Sequence, residues 1–233
     1  MMLSTPGLVL HTTPYGESSV IAKVFTRQLG VRSYIVKGVR RRRGGMKQNL
    51  FAPLSSLDMV VYDTHKSDLN HVKELTPRHP DHSSDPVDNA LRFFMTEVLY
   101  KTLHEEEPMP ELWDYVENSN QWSVVSEQRK DVPIRFLLMV AHYLGIEPLD
   151  NYSVHESLFD LQEGHYVGTP SETTLSPHLS QMLHHYLCFP PSTFHFSLDE
   201  RTNLIDALIA YYQLHLSGFR QFHSHEILHT ILK

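Results

Sequence analysis

The chain has 233 residues, of which 41% are hydrophobic and 20% are charged, and its formal net charge is −7. This composition is typical of a globular protein with one large or two small hydrophobic cores, and it excludes an intrinsically disordered chain. The single cysteine, Cys188, excludes an intrachain disulfide and a cysteine-cluster metal site, and it is compatible with a reducing compartment.

Residues 1–80 predict a small β-barrel domain. Five short β-prone runs, separated by turn signals, lie at residues 8–13, 19–26, 31–37, 57–62 and 69–75. In the second run, Val20, Ala22 and Val24 share one face, as expected for a half-buried strand. The oligonucleotide-binding (OB) barrel is one five-stranded solution, and other small barrels fit this periodicity equally well.

The segment 76–86 predicts a domain boundary because it combines three prolines with a polar cluster. Beyond it, hydrophobic residues recur every three or four positions over residues 87–99, which predicts a helix capped by Asp85 with Pro86 in its first turn. Further helices are expected at about residues 109–127, 131–144, 176–188, 199–216 and 224–232. Residues 146–175 lack periodicity and predict an irregular insertion. The predicted fold is therefore α+β and multi-domain, with a five-stranded OB-type barrel at 1–80 and a mainly helical domain at 81–233.

The two predicted domains carry opposite charge. Residues 1–80 contain five Lys and seven Arg against two Glu and three Asp, a balance of +7, which leaves −14 for residues 81–233. Such an asymmetry indicates a polyanion-binding surface on the first domain. The strongest feature is the run of four arginines at 40–43, flanked by Gly38, Gly44 and Gly45. The plain alternative is a solvated basic loop.

Basic and aromatic residues alternate around that run, as single-stranded nucleic acid binding requires, since cations hold phosphates and rings stack on bases. The predicted DNA-binding residues are Arg27, Arg32, Tyr34, Lys37, Arg40, Arg41, Arg42, Arg43 and Lys47. Phe25 and Tyr34 have a competing interpretation as barrel core, which is favoured for Phe25 and left open for Tyr34.

Other motifs give no support for an enzyme. The chain has no phosphate-binding loop, dinucleotide fingerprint or nucleophile elbow. Residues 225–229 match the zinc-protease pattern H-E-x-x-H, which we reject because 17 histidines make a chance match common and only four residues follow it. Cys188 is expected to be a buried apolar side chain, and Glu105, Glu106 and Glu107 a solvated helix end. We therefore expect no catalytic residues, no cofactor and no metal.

Five segments of the N-terminal third, in this order and spacing, resemble one family. They are GLVL at 7–10, YGESS at 15–19, VFT at 24–26 with Gly30, KGVR at 37–40 and LFAPL at 50–54. The chain resembles the RecO family of bacterial recombination mediators over this third, and the helical half matches only loosely. The resemblance implies an OB fold followed by a helical domain, binding to single- and double-stranded DNA, annealing of complementary strands, and partnership with RecR and single-stranded-DNA-binding protein in loading RecA.

One departure from the family concerns metal. Many members carry a four-cysteine zinc module at about residues 149–170, where this chain has no cysteine. Tyr152 and His155 stand roughly where the first cysteine pair would be, so we expect that zinc site to be absent.

The sequence thus predicts a non-enzymatic DNA-binding mediator of RecF-pathway DNA repair and recombination. We expect it in the cytoplasm, associated with the nucleoid, because the N-terminus lacks a secretory-signal pattern and no stretch reaches the roughly 18 apolar residues of a membrane span. The alternatives are a protein–protein adaptor with a basic docking loop and an RNA-binding OB protein, while a metalloprotease is a distant third.

Overall fold

The structure is a computed structural model that describes residues 2–39, 48–62, 69–79, 85–120, 128–188 and 195–231. The chain divides into two compact units, Met1–Trp122 and Ser123–Lys233. Among the described residues, no helix is both long and apolar enough to cross a membrane.

The first unit contains a closed barrel of five strands, which confirms the predicted OB-type architecture. The strands are β1 (Met2–Tyr15), β2 (Ser19–Thr26), β3 (Gly30–Val36), β4 (Ser56–Tyr62) and β5 (Leu69–Pro77). They follow one another around the barrel in the order β1-β2-β3-β5-β4. The β3–β5 pair is parallel and the other neighbouring pairs are antiparallel.

Strand β1 is longer than the predicted run at residues 8–13 because it pairs on both sides. Its first half, Met2 to Leu8, pairs with β4, and its second half, Gly7 to Tyr15, pairs with β2. The β1–β2 register shifts between Val9 and His11, as at a β-bulge. A bulge bends a strand, so β1 can pass from one neighbour to the other and close the barrel.

The barrel core is formed by alternate residues of the strands. Buried members from the first half of the barrel include Val20, Ala22 and Val24, the face that the sequence pattern singled out. Tyr34 of β3 and Met59 of β4 belong to the same cluster. Because successive strand residues point to opposite sides, one face of each strand fills the interior.

Two helices complete the first unit. Helix α1 (Pro86–Thr102) begins at the predicted cap, where the Asp85 side chain accepts a hydrogen bond from the Val87 N–H over 2.9 Å. Helix α2 (Pro110–Asn120) covers the first part of the predicted 109–127 helix, and residues 121–127 lie outside the described residues. The Trp113 indole N–H donates to the carbonyl oxygen of Phe25 over 3.0 Å. This contact joins α2 to β2, and the compact unit accordingly extends past residue 80 to Trp122.

The second unit is mainly helical. Its elements are α3 (Val132–Tyr143), β6 (Leu158–Asp160), β7 (His165–Val167), α4 (Pro177–Cys188), α5 (Leu198–His215) and α6 (Ser224–Ile231). A buried polar cluster lies between three of its helical segments: Asp131 accepts hydrogen bonds from the Arg201 Nε over 2.7 Å and from the Tyr186 hydroxyl over 2.6 Å. A buried carboxylate satisfied in this way fixes the packing of these segments.

The predicted irregular segment 146–175 is largely without regular structure, but it contains the antiparallel β6–β7 hairpin. Strands of three residues are too short to show a period of two, which is why the sequence pattern did not reveal them. The Asp160 carboxylate holds the segment together. It accepts hydrogen bonds from the hydroxyls of Ser171 and Thr173 and from the N–H groups of Gln162 and Glu163.

Candidate nucleic-acid interface

Arg27, which is predicted to bind DNA, directly follows β2 and is held by the carboxylate of Asp114 on α2. Its Nε donates to Asp114 Oδ1 over 2.7 Å and its Nη2 donates to Asp114 Oδ2 over 2.8 Å. These hydrogen bonds, together with the charge of Asp114, raise the pKa of Arg27, and the bond from Arg27 lowers the pKa of Asp114. The Arg27 side chain is 40% exposed, but Asp114 occupies the two donors that a phosphate would use.

Two other barrel cations are paired in the same way. Arg32 on β3 is buried, and its Nη1 pairs with Glu106 Oε1. Lys23 on β2, which the sequence did not single out, pairs with Glu105 over 2.8 Å. Both carboxylates belong to the connection between α1 and α2, so the structure brings this acidic connection onto the barrel strands that carry the predicted basic residues.

Main-chain contacts fix the acidic connection against β3. Glu105 forms an isolated β-bridge with Val31, and the Glu106 N–H donates to the Val31 carbonyl over 3.1 Å. A Cβ atom at Gly30, where φ is +67°, would lie 2.3 Å from the Glu107 carbonyl oxygen, so only glycine permits this approach. The interpretation of this stretch as a solvated helix end missed these pairs, although the Glu105 and Glu106 side chains remain more than half exposed.

The structure places Tyr34, a predicted DNA-binding residue with a competing core interpretation, inside the barrel. Its side chain is 1% exposed and belongs to the barrel core, because it lies on the inward face of β3. A ring in that position cannot stack on a base. Phe25 is fully buried, as the core interpretation favoured.

The end of the barrel at which β3 stops offers the exposed groups that the prediction required. Lys37 directly follows β3 and is exposed. Tyr15, at the end of β1, is 50% exposed. It pairs with Ser19 at the start of β2, and the next residue of β2, Val20, pairs with Val36 at the end of β3. The register therefore places Tyr15 and Lys37 at the same end of the barrel, at the ends of the two strands that flank β2. Tyr15 lies between the first two predicted strands and was not among the predicted stacking residues.

The remaining predicted residues are Arg40, Arg41, Arg42, Arg43 and Lys47, and they lie outside the described residues. Of the predicted set, the structure pairs Arg27 with α2 and Arg32 with the acidic connection, and it buries Tyr34. Lys37 is exposed, two residues before the described segment ends at Val39.

The zinc module of relatives does not fit the residues present here. Neither Tyr152 nor His155 supplies a thiolate, and Tyr152 instead stacks on the ring of His184 with 4.4 Å between centroids. The protease-like histidines lie one turn apart on α6, and His229 faces Asp206 over 3.5 Å. Cys188, expected to be buried, is exposed at the end of α4.

Comparisons with known proteins agree with the N-terminal architecture. The family model described as "Recombination protein O N terminal" matches residues 1–80, the five-stranded barrel. The chain is 30% identical over 247 residues to the DNA repair protein RecO of Porphyromonas gingivalis, with 99% of each chain covered. It is 29% identical over 236 residues to the DNA repair protein RecO of Flavobacterium johnsoniae, again with 99% of each covered. Since the similarity spans both units, the chain belongs to the RecO family of DNA repair proteins.

Proposed function

We propose that this protein binds single- and double-stranded DNA through its barrel and acts as a recombination mediator in RecF-pathway repair. The observation that carries the proposal is the barrel end with exposed Lys37 and Tyr15, from which the chain continues into the arginine run at 40–43. Cations there would hold phosphates while the tyrosine ring stacks on a base. Such contacts do not read base edges, so binding is tolerant of sequence and sensitive to salt.

The mediator role consists of binding and exchange steps rather than bond chemistry. In this proposal the protein anneals complementary strands and, with RecR, helps RecA load onto DNA coated with single-stranded-DNA-binding protein. It needs no catalytic residue, and it works in the cytoplasm at the nucleoid. Support comes from the similarity to curated RecO proteins over both units, since these are described as DNA repair proteins.

Binding to a labelled single-stranded oligonucleotide, followed by fluorescence anisotropy over a salt series, tests the DNA site. Replacing Arg41 and Arg42 together by alanine should weaken binding to every sequence and reduce the slope of log affinity against log salt by about 1.4, the value for two lost phosphate contacts on single strands. The matched control replaces Lys130 and Arg220, two exposed cations of the helical unit, and should leave the slope unchanged. If the arginine variant and the parent had the same slope of log affinity against log salt, the arginine run would not contact DNA phosphates.

Annealing of complementary labelled strands coated with single-stranded-DNA-binding protein tests the mediator role. We expect the parent protein to accelerate annealing and the Arg41→Ala/Arg42→Ala variant to lose most of this acceleration. DNA binding without any annealing or RecR-dependent RecA loading would leave a DNA-binding protein but contradict the mediator role. Tighter binding to RNA of the same sequence would favour the RNA-binding alternative.

The second candidate function is that of a protein–protein adaptor. Asp114 and Glu106 show that protein carboxylates satisfy Arg27 and Arg32 of this barrel, so an acidic partner could use the same chemistry at the exposed basic end. An adaptor would bind DNA weakly, and DNA would not displace its protein partner. If the protein failed to bind DNA even at low salt, the adaptor function would be favoured over the mediator function.

A further inference from the structure

Three potential metal ligands converge in the helical unit at a place unrelated to the barrel. His184 and Cys188 lie four residues apart on α4, so their side chains project from one face of the helix. Asp150, from the segment after α3, reaches that face. Its Oδ1 lies 2.8 Å from His184 Nδ1 and its Oδ2 lies 2.6 Å from Cys188 Sγ, while Sγ and Nδ1 are 3.8 Å apart.

We propose that Asp150, His184 and Cys188 form a binding site for one Zn²⁺ ion. The three donor atoms all lie within 4.8 Å of one another, and they form the one such group among the described residues. Zinc binds thiolate sulfur at about 2.3 Å and imidazole nitrogen or carboxylate oxygen at about 2.0–2.2 Å in tetrahedral geometry. Only a small widening of the Asp150 contacts is needed for the three atoms to surround an ion at these distances.

The charges of the three side chains also suit a divalent ion. In the metal-free protein, the Cys188 thiol donates a hydrogen bond to the Asp150 carboxylate, which keeps the ligands together. On binding, the thiol proton leaves to solvent and the sulfur takes its place beside the ion. One carboxylate and one thiolate then balance the charge of Zn²⁺, and the neutral imidazole completes three of the four tetrahedral positions.

The surroundings support the ligands while leaving access to the site. The ring of Tyr152 stacks on His184 with a centroid separation of 4.4 Å and an interplanar angle of 16°, which fixes the plane of the imidazole. The His184 and Asp150 side chains are each 22% exposed, and Cys188 is exposed. An ion can therefore enter from solvent, and water can occupy the fourth position.

This site differs from the zinc module of relatives in residues and position. His184 and Cys188 lie on α4, beyond the irregular segment 146–175, and only Asp150 lies within it. The sequence could not assign the group because Asp150 is 38 residues from Cys188, and the pair formed by His184 and Cys188 supplies only two ligands by itself. The fold brings the three residues together, and the proposed site departs here from our expectation of a protein without metal.

Cobalt substitution gives a sharp test because the chain contains one cysteine. A thiolate bound to Co²⁺ produces a near-ultraviolet charge-transfer band, which in this protein can report only Cys188. We expect one equivalent of Co²⁺ per untagged, chelator-treated chain to produce this band together with the visible bands of a tetrahedral ion, and one equivalent of Zn²⁺ to abolish both. Zinc should also raise the melting temperature in proportion to the logarithm of its concentration.

Substitutions of single residues distinguish metal binding at this site from weak metal binding by the other histidines. Cys188→Ser should abolish the charge-transfer band, and Asp150→Asn and His184→Ala should each weaken zinc binding by more than about 100-fold, beyond the 10–100-fold effect of supporting residues. The control His178→Ala removes an exposed histidine from the same helix and should change neither result. Cys188→Ser replaces an exposed side chain, so circular dichroism should confirm its native fold. Stoichiometric metal without the thiolate band, or one metal shared by two chains, would overturn the proposal.

Discussion

Replacing Asp114 by asparagine should strengthen DNA binding, since this carboxylate occupies the guanidinium of Arg27. The two hydrogen bonds between them are 2.7 and 2.8 Å long, and both side chains are between 40% and 46% exposed. An exposed pair of this kind is weak, so its loss should leave the fold intact. The asparagine side chain keeps the shape of Asp114 but removes the charge that competes with phosphate.

The size of the effect follows from the number of phosphates that one guanidinium can neutralise. Arg27 can add one contact to single-stranded DNA, which makes the slope of log affinity against log salt more negative by about 0.7. Between about 50 and 200 mM salt, the affinity advantage of the variant over the parent should therefore shrink by about 2.6-fold. Anisotropy titrations at four or more salt concentrations resolve a slope change of this size.

The control keeps the change in net charge but moves it away from Arg27. Glu111→Gln alters the same helix at an exposed position and adds the same single unit of charge. It should raise affinity less than Asp114→Asn and leave the salt slope unchanged. If the two variants gave the same slope, or if Asp114→Asn steepened the slope equally in an Arg27→Ala background, the released Arg27 would not contact DNA.

Three further predictions concern single side chains. Lys37→Ala should weaken single-stranded DNA binding and reduce the salt slope by about 0.7 in the same anisotropy assay, because Lys37 is exposed at the basic end of the barrel. Trp113→Phe leaves the buried Phe25 carbonyl without its donor and should lower the free energy of unfolding of the barrel unit by about 1–3 kcal/mol in urea denaturation followed by circular dichroism. Burial alone would raise the pKa of Asp160, but the hydrogen bonds that the carboxylate accepts lower this pKa in the folded protein. The contribution of Asp160 to stability is therefore complete above the usual aspartate pKa of about 3.9, and it is lost as the pH falls through the lower pKa of the folded state. The melting-temperature difference between the parent and Asp160→Asn should accordingly be largest near neutral pH and shrink below about pH 3.9, and a difference independent of pH would contradict this reasoning.

Much of the fold could be predicted because strand and helix periods are local properties. The alternation in β2 gave its inward face, and the Asp85–Pro86 pair gave the start of α1, since each depends on neighbours a few residues away. The double pairing of β1 could not be predicted, because it depends on strands that follow far along the chain. The β6–β7 hairpin was missed for a different reason, since strands of three residues are too short to show a period of two.

The candidate site was harder to predict because charge in the sequence does not show pairing in space. Arg32 belongs to a basic cluster by sequence, yet its partner Glu106 lies 74 residues further on. The sequence alternation in β3 does not show which face of the strand is buried, and only the folded barrel shows that the Tyr34 ring points inward. Tyr15 was missed because it lies between two predicted strands, where the hydrophobic period gives no information about the exposure of a side chain.

The pairing of barrel cations with the α1–α2 connection and with α2 changes how the sequence charge should be understood. The excess of seven positive charges in residues 1–80 is not spread over the barrel as free charge, because Lys23, Arg27 and Arg32 each face a carboxylate from residues 105–114. Lys37 lies at the end of β3, immediately before the arginine run. A polyanion approaching the barrel therefore meets neutralised pairs beside the acidic connection, and at the other end it meets Lys37, which is exposed and has no carboxylate partner among the described residues. If DNA binds this barrel, the position of these carboxylates directs the strand toward Tyr15 and Lys37 and away from the face that carries Arg27 and Arg32.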